Sequence, residues 1–190
     1  ASDSNRIFCS LQSSIHLAWA LQYGTTLKRD LSYSPNAIFG TFPFANDSVI
    51  LSVLAHSYLK VRRLLTSKLN IGFTRLYKLL NDPDESSADV VNFRELQFTI
   101  DHEIAKAYGW DDLDLEHGFH ETKQGVRFTI SERARREVLD RLLALNHERY
   151  AEEGAVGLHD GKKGKKGSGP KALAAQSKLA GFGGDGTGGG

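Results

Sequence analysis

Apolar residues spaced three and four apart recur along most of this chain, and that spacing favours helices over other structure. Ile7, Phe8, Leu11, Ile15 and Trp19 follow it, with Ser4 placed as an N-cap, so a helix is predicted over about residues 5–22, closed near Gly24. Ile50, Val53, Leu54, Tyr58, Val61 and Leu65 share one face of a second helix, 47–68, which Asp47 or Ser48 can cap. Gly72 interrupts, and "FTRLYKLLN" makes a short third helix. Ser86 and Asp89 have the spacing of a capping box before a fourth, traced by Val90, Phe93, Ile100 and Ile104 to Gly109. Ser131 caps a fifth, 132–152, with Val138, Leu142 and Leu145 inward and acid-before-base pairs Glu132–Arg136 and Glu137–Arg141 outward. Between the last two, "VRFTI" alternates like a strand and is predicted to pair back across the turn at "TKQG".

Two stretches depart from this pattern. Residues 30–45, "DLSYSPNAIFGTFPFA", hold four aromatics and two prolines with neither a helical nor a strand period. They read as short extended pieces and turns, with Phe39, Phe42 and Phe44 as packing between neighbouring units and only Tyr33 a candidate for contact with a base or phosphate. Residues 154–190 hold thirteen of the chain's 19 glycines, six lysines and two aspartates. Such a tail has too few apolar residues to bury a core and is expected to be disordered, its lysines adding at most a weak, salt-sensitive pull on nucleic acid.

Charge and composition narrow the function classes. The net charge is +1, so with the tail at +4 the first 153 residues carry −3, unlike a free-standing nucleic-acid binder. No apolar run approaches the roughly 18 residues of a membrane span, and the start lacks the build of a signal peptide. The lone Cys9 has no partner for an internal disulfide, and a reducing cytoplasm is the expected setting. The absence of methionine, even at position 1, leads us to expect a longer parent chain.

Several patterns suggest chemistry without carrying it. His117 and His120 form H-x-x-H, but zinc needs three or four converging ligands and no Cys lies nearby, so these and His102 and His147 are expected at the surface or as caps. The carboxylates of "DDLDLE" lack the glycine and terminal Glu of a calcium loop. Pro83-Asp84 with Glu121-Thr122-Lys123 spells the PD…ExK pattern of metal-dependent nucleases, yet the first pair falls in a turn between helices. "GFGGDGTGGG" has neither the strand nor the helix that makes a glycine loop hold phosphate. The residues taken alone describe a mostly helical domain with no catalytic, cofactor-binding or metal-binding residue.

Three long blocks add a resemblance. "LQSSIHLAWALQYGTTLKRDLSYSPNAIFGTFPFA" (11–45), "GFTRLYKLLNDPDE" (72–85) and "FRELQFTIDHEIAKAYGWDDLDLEHGFHETKQGVRFTISERARREVLDRLLALNHERYAEE" (93–153) occur in an order that resembles the C-terminal region of class I, S-adenosylmethionine-dependent adenine-specific DNA methyltransferases. These belong to type IIG-like restriction–modification and related phage-defence systems. The resemblance covers residues 7–158. It implies a mainly α fold in which residues 1–45 are the α/β end of a target-recognition domain, 46–153 a helical C-terminal module and 154–190 the Gly/Lys-rich tail. It also implies transfer of a methyl group to the exocyclic amine of adenine in double-stranded DNA by the parent enzyme. The glycine cofactor loop and the (Asn/Asp)-Pro-Pro-(Tyr/Phe) motif of that chemistry are absent, since all four prolines are isolated. S-adenosylmethionine would therefore bind an upstream methyltransferase domain, in cis or in trans, and this chain alone would be inactive. By the same resemblance Lys28, Arg29 and Tyr33 are candidates for DNA contact, with Arg62 and Arg63 on the polar side of the second helix behind them. The alternative is a non-enzymatic helical protein-interaction module, docking through an apolar patch of Phe8, Ile15 and Trp19.

Overall fold

The computed structural model describes residues 2–27, 30–46 and 48–155. The fold is mainly α. Its elements run α1 (Ser2–Gln12), α2 (Ser14–Tyr23), β1 (Thr25–Leu27), β2 (Asp30–Ser32), a π-helical turn (Pro35–Phe39), α3 (Val49–Leu69), α4 (Phe73–Leu80), α5 (Ala88–Ala107), β3 (Gly118–Thr122), β4 (Gly125–Thr129) and α6 (Glu132–Ala155). Ala1–Arg149 form one compact unit; of the second, Tyr150–Gly190, the described part is the end of α6. The predicted tail otherwise lies outside the described residues.

The first predicted helix is two. Ser13 leaves the helical path at φ −75°, ψ 152°, and its Oγ accepts from the His16 amide. The Ser14 amide, at the start of α2, donates 2.7 Å to the carboxylate of Asp101 on α5. Both bonds satisfy N–H groups that a helix start leaves open, so the break has a local cap and a distant anchor. At α3 the cap residue is Ser48, whose side chain does not bond the first-turn amides, while Asp47 lies outside the described residues. The capping box at Ser86 is also replaced: the helix begins after Ser87, again without a side-chain cap, and Asp89 pairs with Lys68 of α3 at 2.6 Å. Ser131 caps α6 as expected, accepting from the Ala134 amide.

The two hairpins are separate two-stranded sheets. β3 and β4 pair antiparallel with Phe119 opposite Phe128 and His120 opposite Arg127, and Gly125 opens β4 at φ +90°. This is the hairpin predicted from "VRFTI" and "TKQG".

One core serves residues on both sides of position 45. Trp19, Ile38 and Phe42 are buried with Leu51, Tyr58, Phe93, Ile104 and Leu142 in a single cluster. The aromatic stretch is ordered by two devices. Pro35–Phe39 make a helical turn closed by the Gly40 amide on Pro35 O at 2.9 Å, where a Cβ on Gly40 would meet Asn36 O at 3.0 Å. Residues 41–45 then run without repeating structure. There, four carbonyls take side-chain donors: Thr41 O from Asn146, Pro43 O from Tyr108, Phe44 O from Arg149 and Ala45 O from Arg6, at 2.5–2.9 Å. Buried irregular backbone needs such partners because no neighbouring strand or helical turn supplies them.

Candidate nucleic-acid interface

The charge is distributed by segment. Residues 49–81, spanning α3 and α4, hold six Lys and Arg and no Asp or Glu, whereas residues 82–153 hold nine Lys and Arg against eighteen Asp and Glu. The structure sharpens the difference. On α6, Arg135 and Arg136 pair with Glu132, Arg133 with Glu116, and Arg141 with both Glu137 and Asp112. Asp112, Glu132, Arg133, Arg136, Glu137 and Arg141 line a groove of about 700 Å³. The carboxylates of Glu132 and Asp112 in it, and of Glu116 beside Arg133, are held below their ordinary range by hydrogen bonds from those arginines. Charges so matched leave little field for a ligand. On α3 and α4, by contrast, Lys60, Arg63, Arg75 and Lys78 are exposed and form no ion pair among the described residues. Lys60 and Arg63 line a shallow groove of about 380 Å³ with His56, Leu59 and Leu64. Solvated cations without ion-pair partners are suited to phosphate contact.

Of the sequence-derived candidates, Lys28 and Arg29 lie outside the described residues. Tyr33 is half exposed, and its Oη is 3.2 Å from Nε2 of buried His16. Burial lowers the His16 pKa to about 4, and its ring meets Phe42 edge-on at 4.6 Å. The Tyr33 hydroxyl thus has an internal partner. Arg63 is exposed as expected. Arg62 is not on a polar face: its guanidinium lies 4.8 Å from the Phe73 ring centroid, 5.8 Å from Tyr58 and 5.9 Å from Phe8. The period placed Arg62 beside Arg63 but gave no sign that Phe8 and Phe73 converge on it.

Other expectations change. Ile15 and Trp19 are buried and Phe8 packs against the core, so they form no docking patch; the most exposed apolar residues of α3 are Val49, Val53 and Leu64, at 84%, 59% and 57%. His117 is not at the surface. Its side chain is fully buried and its Nε2 donates to Asp101 at 2.7 Å, while His120 Nε2 bonds Glu116 O. Asp101, also fully buried, joins α2, α5 and the start of β3 through Ser14, Gln97 and His117. The turn bearing Asp84 is organised by Arg94, which donates to the carbonyls of Leu79, Leu80, Asp82 and Glu85. Cys9 is buried, and burial pushes its thiol up to about 12, far from a reactive thiolate at neutral pH. Among the described residues no three His, Cys, Asp or Glu are grouped to hold a metal ion, and no helix is long and apolar enough to cross a membrane.

Comparison with family models, with curated proteins and with solved structures returns no match.

Proposed function

We propose that the chain is the C-terminal, non-catalytic part of a bacterial adenine-specific DNA methyltransferase of a restriction–modification or phage-defence system, working in the cytoplasm. An upstream domain, in cis or in trans, would bind S-adenosylmethionine and transfer the methyl group to adenine, while this part supports the hold on double-stranded DNA. The observation that carries the DNA side of the reading is the acid-free α3–α4 segment, whose exposed Lys60, Arg63, Arg75 and Lys78 lack ion-pair partners among the described residues. The ordered sequence blocks of 11–45, 72–85 and 93–153 support the family. Two measurements test it. Calorimetry of the chain alone with S-adenosylmethionine should give no binding; micromolar affinity contradicts the division of labour. Anisotropy of a labelled duplex should show binding that weakens with salt, and replacing the four cations by Ala should reduce the slope of log K against log salt by about 0.9 for each phosphate no longer neutralised. An unchanged slope removes α3–α4 from the interface.

A second reading, a protein-interaction module, is favoured by Val49, Val53 and Leu64 on the outer side of α3. It predicts that Val49→Asp with Val53→Asp abolishes a protein complex while leaving the duplex salt slope unchanged.

A further inference from the structure

We infer that Arg62 is a preset phosphate fork for the nucleic-acid backbone; this rests on the DNA reading above and names the group that would take the phosphate. The guanidinium is clamped against Phe73, Tyr58 and Phe8, which belong to α4, α3 and α1. Rings within about 6 Å of a guanidinium attract it and fix its plane. Its Nε is closed to solvent and has no hydrogen-bond partner. The two Nη groups bond no described residue and are not among the atoms shut away, so they are the end that faces outward. No carboxylate lies anywhere in residues 49–81, and Arg62 has no ion-pair partner among the described residues.

A partly desolvated cation with an uncompensated charge gains more from an anion than a solvated one does. An immobilised fork also loses less side-chain entropy when it binds, and its parallel N–H groups match the oxygens of a phosphate. Lys60 and Arg63 add positive charge on the same helix, which itself carries no Asp or Glu, and this favours an extended polyanion over a single carboxylate. Arg62 and Arg63 therefore differ in kind: Arg63 supplies mobile charge, Arg62 a fixed geometry.

The test uses the full chain and follows the arginine Nε–H resonances by NMR, with Arg62 assigned from Arg62→Lys. Titrations use a 12-base-pair duplex, pyrophosphate and poly-glutamate at matched ionic strength. The duplex and pyrophosphate should each shift the Arg62 resonance, and poly-glutamate should not. Arg62→Lys, with unchanged net charge, should weaken duplex binding about tenfold, because lysine offers neither the fork nor the stack, whereas Arg63→Lys should stay within about twofold. Poly-glutamate shifting Arg62 as strongly as the duplex makes the partner an acidic protein and overturns the inference. Duplex binding that depends on Lys60 and Arg63 while the Arg62 resonance stays still overturns the fork and leaves the DNA reading standing. A response to pyrophosphate without any duplex binding keeps the fork and removes the DNA reading.

Discussion

Replacing Arg94 should reveal how much of the stability comes from one buried guanidinium. It is 7% exposed and donates to four main-chain carbonyls, Nε to Leu80 O and Nη2 to Leu79 O at 2.9 Å, and Nη groups to Asp82 O and Glu85 O at 2.6 Å. It also lies 4.9 Å from the Phe119 ring centroid and 5.9 Å from Phe128. Those carbonyls include the end of α4, where a helix leaves acceptors without intrahelical donors. Arg94→Met keeps much of the side-chain volume and removes every donor. The bond to Leu80 O is buried and its loss strands an acceptor, at about 1–3 kcal/mol. The other three bonds are part-buried, so water replaces them partially and each loss costs less, about 0.5–1 kcal/mol. The total, about 2.5–6 kcal/mol, should lower Tm by roughly 5–20 °C for a chain of this size. Urea unfolding followed by circular dichroism measures it directly. Arg94→Lys preserves the charge but reaches fewer of the four acceptors, and should recover less than half of the loss. A loss below about 1 kcal/mol in Arg94→Met, or full recovery by Arg94→Lys, refutes the claim that the four carbonyls depend on the fork.

Further outcomes follow from other contacts. Phe42→Ala should cost about 3–5 kcal/mol, since Phe42 is buried and meets His16 and Phe44 edge-on; weakened DNA binding at unchanged melting temperature would instead make it a ligand contact. His16, neutral in the folded chain with its pKa lowered to about 4 by burial, takes up a proton more readily when unfolded, so stability should fall as pH drops from about 6.5 towards 4. Between pH 7 and pH 5 that is about 2 kcal/mol, and His16→Gln should flatten the profile in urea titrations across the same window. Asp101→Ala leaves the Ser14 amide and His117 Nε2 without their acceptor and should cost about 3–5 kcal/mol, with Asp101→Asn milder because it retains an acceptor for Ser14. Equal losses for the two Asp101 variants in thermal denaturation would assign the effect to packing.

The helices were legible because each carries its period within a dozen or so residues. What escaped was fixed over long sequence distances. Leu11, Ile15 and Trp19 keep the helical spacing straight through Ser13, so nothing local marks the break that Asp101 anchors from 87 residues away. Arg94 and His117 look like ordinary polar residues until Phe119, Phe128 and the 79–85 turn close over them. The contrast at α3–α4 was available to simple counting: a net charge taken over residues 1–153 averages an acid-free stretch against an acidic one and hides both. The Arg62 cradle was not available, because Phe8 and Phe73 lie 54 and 11 positions from it on other helices.

The carbonyl clamp on residues 41–45 divides the freedom to vary unequally. Its acceptors are main-chain oxygens, which every residue type possesses, so the side chains of Thr41, Phe44 and Ala45 take no part in those bonds and are held, where they are held, by packing. Its donors are side chains, and Arg6, Tyr108, Asn146 and Arg149 each have a reach and a donor group that few replacements reproduce. Within the segment the demand is therefore on packing at Phe42, Phe44 and Ala45, while the clamp itself depends on four positions scattered through ordinary helical sequence. A library randomised at all seven positions and selected for folded protein should return diverse residues at Thr41, apolar residues at Phe44, small ones at Ala45 and near-unchanged ones at the last four.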